Sequence, residues 1–119
     1  MCLRYGICGA LLTAALALPA SAGSRVYAGD EAAALRCAAE FSYSAHVLSR
    51  QGLMSDHHRQ VATKTTYYLL EHHVSGSFED KLGAYEGVLA GMPLDDPDRV
   101  RASVLRMAEC EKRFLQQRP

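Results

Sequence analysis

Four cysteines narrow most sharply what this 119-residue chain can become, because only two of them, Cys37 and Cys110, fall where a folded domain can use them. Cys2 and Cys8 lie within residues 1–22, which have the three parts of a cleaved secretory signal peptide. Arg4 supplies the positive start, Ile7 to Leu18 is an uncharged run of 12, Pro19 breaks it, and Ala20-Ser21-Ala22 is a small-x-small cleavage site. Such a run is too short to span a bilayer core of ~30 Å as a helix, and no later stretch would stop transfer, so no stable membrane insertion is expected. A lipid anchor is not expected either, since Cys8 stands at the start of the apolar run rather than at its end and Arg36 stands before Cys37. The short leader has a bacterial look and predicts delivery to the periplasm or the medium.

Cleavage after Ala22 leaves 97 residues, and removes one of the 13 Lys+Arg but none of the 13 Asp+Glu, for a formal charge of −1 with five neutral histidines. With no basic surplus, no Trp and only 8% aromatic residues, the chain lacks the electrostatic footprint of a nucleic-acid binder. An even pair of cysteines in an oxidising compartment predicts one disulfide, Cys37 to Cys110.

Residues 23–29 carry no periodicity and read as a flexible N-terminus, followed by a single helical domain, 30–119. Four helical segments are expected. Asp30 is a candidate N-cap for the first, in which Ala34, Cys37, Ala38, Phe41, Ala45 and Leu48 recur at three- and four-residue spacing until Gly52. Ser55 caps the second, from Asp56 to about Ser75. Ser77 with Asp80 forms a capping-box pattern for the third, whose stripe is Phe78, Leu82, Tyr85, Leu89 and Met92. Asp96 and Pro97 start the fourth, where Val100, Val104, Met107, Glu111 and Phe114 share a face. Strand signals are absent, so the fold class is all-α: a small up-down-up-down four-helix bundle with one disulfide linking its first and last helices. Cys37 lies 7 residues after Asp30 and Cys110 lies 7 before Gln117, so antiparallel packing brings them to one height. Closing this loop contributes about 4 kcal/mol in the chain-entropy model, a large share for so small a domain.

Chemistry-bearing residues are few. His57, His58, His72 and His73 bracket the second helix, with His58 and His72 within about 40° of each other on the face of Val61, Thr65 and Tyr68. Their separation of 14 residues is roughly 21 Å of helix rise, too far for one metal within a chain. The pairs are symmetric about Thr65, however, so an antiparallel homodimer of second helices would assemble a four-histidine cluster at each end, able to bind Zn or Cu or to charge as pH falls through ~6.5. A second stripe, Tyr67, Leu70 and Val74, lies opposite the first, leaving one face for the core and one for a protein partner. The competing reading is a central helix buried on two sides, with the histidines along its edges. His46 points away from Cys37 and Phe41, toward solvent.

No cofactor is expected. Haem attachment would need Cys-x-x-Cys-His, which is missing, and Met54, Met92 and Met107 read as packing residues. Glu111 is an acid on an apolar face, with Arg36 its expected partner. Arg99, Arg106 and Arg113 recur every seven residues as a solvated basic line or, alternatively, a surface for an acidic partner. No nucleophile arrangement is present. The residues point to a non-enzymatic exported binding or interaction protein, stress-protective or partner-inhibiting, with a metal- or pH-responsive histidine binder as the alternative.

Overall fold

A computed structural model describes residues 25–93 and 96–116. The signal-peptide expectation, residues 1–22, lies outside them. Among the described residues the chain forms four helices and no strand: α1 (Gly29–Arg50), α2 (Asp56–His73), α3 (Phe78–Ala90) and α4 (Pro97–Cys110), which runs on into one π-helical turn, Glu111–Leu115. The all-α class read from periodicity is the observed one. No helix among these residues is long and apolar enough to cross a membrane.

Helix starts follow local chemistry at three of the four sites. The side chains of Ser55 and Ser77 accept hydrogen bonds from the backbone N–H groups of His58 and Asp80, and Asp96 accepts from Asp98 and Arg99 ahead of Pro97. Each relieves donors that the first helical turn leaves unpaired. At α1 the expectation is corrected: the helix begins at Gly29, Ala28 offers no side-chain cap, and Asp30 sits inside the first turn. There its charge still suits the positive end of the helix dipole, and its carboxylate accepts a hydrogen bond from Arg113.

Residues 25–28 have no regular structure, yet they are docked rather than splayed. Arg25 donates to Ser75 Oγ at 2.9 Å and the Tyr27 hydroxyl donates to the Ser75 carbonyl at 2.7 Å. Glu31 accepts from the Ser75 backbone N–H at 3.2 Å on the other side. The adjoining Gly76 has φ +103°, a backbone conformation that residues with a Cβ rarely adopt, so the turn there demands glycine.

The centre of the fold is α1, not α2. α1 packs against each of the other three helices, which touch one another sparsely. It can do so because its buried positions are mostly small: Ala33, Ala34, Ala38, Ala39, Ser44 and Ala45 let neighbouring backbones approach on several sides. Larger residues then fill two core clusters. Leu35, Phe41, Leu69, Leu70, Val74 and Phe114 anchor one; Tyr43, Val47 and Met92 anchor the other.

Small residues also explain where two expected stripes shift. On α4 the buried positions are Ser103 and Cys110, with Val100 and Met107 half-buried beside them, while Val104 and Glu111 are exposed. The face thus recurs as 100, 103, 107, 110 and 114, and the wide side chain of Val104 turns out because α4 lies close to α1. On α2 the buried face is Ala62, Thr66, Leu69 and Leu70: the first three lie one position beyond the expected Val61, Thr65 and Tyr68, and only Leu70 is shared with the second expected stripe. Ala62 and Thr66 carry little apolar signal but permit the approach.

Cys37 and Cys110 form the expected disulfide, linking α1 to α4 with their Cα atoms 5.7 Å apart. Contacts on either side step antiparallel: Asp30 meets Arg113, Cys37 meets Cys110, and Glu40 meets Arg106, Ser103 and Arg99 in turn. The bond closes a loop across 73 positions. A Cys37→Ala/Cys110→Ala double variant is expected to lose about 4 kcal/mol of unfolding free energy in urea titrations. An unchanged midpoint would contradict a clasp that constrains the unfolded chain.

Candidate functional site

The disulfide seam holds the most strongly organised polar group. Glu40 is 3% exposed, in the middle of α1, where an unpaired carboxylate would be costly to bury. Three groups on α4 satisfy it. Ser103 donates to Oε2, while Arg99 and Arg106 each donate to Oε1 at 3.2 Å. Arg99 is three-quarters covered and Arg106 half exposed. The heptad-spaced arginines pair with acids of the chain itself: Arg99 and Arg106 face Glu40 and Arg113 faces Asp30, with Arg106 and Arg113 still half exposed to solvent. The expected pair between Arg36 and Glu111 does not form. Glu111 follows Cys110 by one residue, about 100° round the helix, which swings it off the face toward α1, and Arg36 lies exposed beside the disulfide.

A second, largely apolar feature lies between α1 and α3. Ser42, Tyr43 and His46 line one wall at i, i+1 and i+4. Glu86, Leu89 and Ala90 line the other at i, i+3 and i+4, and Met92 closes one end. The groove measures about 610 Å³, within the range of small-ligand sites. It stays open because α3 is thinly attached: none of its 13 residues is fully buried, and Phe78, expected in its apolar stripe, is 63% exposed.

Hydroxyls near the groove are already committed. Tyr85 on α3 donates to Ser42 Oγ at 2.6 Å, Ser42 pairs with Thr66 Oγ1 at 3.1 Å, and Thr66 donates to the Ala62 carbonyl at 3.0 Å. This relay ties α3, α1 and α2 together in series. Burial pushes the Tyr85 phenol above its ordinary value. Tyr43 donates its hydroxyl to the Pro93 carbonyl, fixing the chain beyond α3. What remains at the groove's rim is the exposed His46 and Glu86, and Glu86 takes part in no ion pair among the described residues.

The four bracketing histidines stand apart as the helix rise requires, and no group of three or more metal-ligating side chains comes together among the described residues. His57 and His58 are exposed at the start of α2, with His58 Nδ1 2.8 Å from Ser55 Oγ. His72 is exposed and stacks on Tyr68, whereas His73 packs edge-on against Phe114 with its Nε2 buried. The expected partner surface divides. Val61 (46%) and Tyr67 (58%) face outward and Thr65 and Tyr68 are half-buried, but Leu70 and Val74 belong to the core and cannot meet a partner. Met92 is likewise core, and Met107 packs partly buried against the other core cluster.

Comparisons with protein-family models, curated proteins and solved structures give no match. Sequence reasoning missed both Glu40 and the groove. The first had a usable signal: Arg99, Ser103 and Arg106 lie on one side of α4 and must meet something acidic on the antiparallel helix. Glu40→Ala should destabilise the protein by about 3 kcal/mol, since it strands Arg99 in a covered position, whereas Arg106→Ala should cost less than about 1 kcal/mol because that side chain reaches water. Equal losses in denaturant titration would show that Glu40 is not the hub of the seam.

Proposed function

We propose that this is a small exported binding protein, working without catalysis in the bacterial periplasm or the medium, and that the groove between α1 and α3 is its contact site. The supporting observation is the groove itself: about 610 Å³, walled by Tyr43, Leu89, Ala90 and Met92, with the nearby hydroxyls already hydrogen-bonded. Apolar surface of this kind, exposed beside a thinly packed helix, gains from covering the apolar part of a ligand or partner. The disulfide favours an oxidising compartment, and it keeps the domain folded while α3 adjusts. In this role the protein would shield an exposed client or block a partner, in keeping with stress protection or inhibition. Ala90→Trp fills the groove from its exposed wall and Leu89→Asp makes it polar. Both should abolish the fluorescence that the neutral dye Nile red gains with the unaltered protein, with helical circular dichroism unchanged. A full signal in both variants would sink the groove as the contact site.

A second reading keeps the histidines in play, and one contact favours it. His58 Nδ1 is held by Ser55, which leaves Nε2 directed outward, the arrangement by which a supporting hydrogen bond orients a metal-ligating imidazole. In an antiparallel homodimer centred on Thr65, His58 would meet His72 of a second copy at either end. Light scattering should then show monomer mass without metal, dimer mass with Zn, and a return to monomer near pH 5 or in His58→Ala and His72→Ala. A mass that ignores Zn and pH would exclude this reading.

A further inference from the structure

Resting on the reading of the α1–α3 groove as a binding site, we propose that its ligand is an amphiphilic cation: an apolar body carrying an ammonium or guanidinium head. Two observations converge on this class. The apolar body is called for by the floor, where Tyr43 and Met92 belong to a core cluster that Leu89 packs against, so a guest chain extends a surface that is already water-excluding. The head group is set by what the rim offers. The hydroxyls of Ser42 and Tyr43 are held by Tyr85, Thr66 and Pro93, which leaves them poorly placed to orient a neutral polar head. Among the described residues no Lys or Arg lines the groove to pair with a carboxylate or sulfate. The formally charged lining residue is Glu86, exposed on α3 and without an ion pair among the described residues, facing across to His46 on α1. An anionic head would meet that carboxylate at close range.

Charge at such an open rim acts in high dielectric, so the selectivity is modest and salt-sensitive. At low ionic strength a cationic head should bind about fivefold tighter than a neutral one of the same chain length, and an anionic head weaker than either.

The test is calorimetric titration of the oxidised protein with decyltrimethylammonium, decyl glucoside and decanoate, each below its micelle-forming concentration. The expected order is ammonium, glucoside, decanoate. Glu86→Gln should bring the ammonium to the level of the glucoside. Glu79→Gln, which removes an exposed carboxylate of the same helix from outside the groove, should leave the order intact. Equal affinities, tightest binding of decanoate, or an unaltered ammonium preference in Glu86→Gln would overturn the ligand class while leaving the groove reading standing. If no decyl compound binds, or if glucoside binding survives Ala90→Trp and Leu89→Asp, the groove reading fails and the ligand class with it.

Discussion

A helix surrounded on three sides by other helices has to solve a spacing problem, and α1 solves it with small side chains. Its run of alanines and Ser44 brings neighbouring backbones close, which concentrates dispersion contacts and excludes water. The same closeness makes a 5.7 Å Cα separation available for the Cys37–Cys110 bond and sets Ser103 beside Glu40. Had α1 carried leucines in these places, its neighbours would stand farther off, and the seam of disulfide, carboxylate and guanidinium groups would lose its register.

That seam carries covalent and ionic elements side by side. Burying Glu40 alone would be unfavourable, and pairing it with Arg99, Arg106 and Ser103 offsets the penalty without turning it into a large net gain. What the arrangement supplies is specificity of alignment. α4 can slide neither up nor down α1 without stranding a buried charge, while the disulfide limits how far the two helices can part.

How much of this was readable from residues alone depends on the range of the interaction. Caps at Ser55, Ser77 and Asp96 are local, and so they were legible to within a residue. The disulfide required only that two cysteines remain and that the end helices run antiparallel. Faces were less legible where packing is governed by size rather than hydrophobicity: Val104 looked like core and Ser103 did not, yet the tight approach to α1 selects the serine. Leu70 and Val74 looked available for a partner because α2 shows apolar residues on two sides. The groove had no sequence signal of its own, being made by the positions at which two helices fail to close on each other. Its candidate residues, Tyr43, His46, Glu86 and Leu89, lie about 40 positions apart in the chain.

The span between the two cysteines contains α2, the whole of α3 and the turns between them. Because the disulfide joins the two ends of that span, α3 is one arm of a covalent ring. Were it to lift from α1, it would remain tethered at both flanks, so its return would be an intramolecular encounter governed by an effective concentration rather than by diffusion from bulk. A molecule entering the groove would displace a neighbour that can never leave, and its own departure would be followed by reclosure. One cysteine pair on the far side of α1 thereby bounds how far the helix on the opposite face could move.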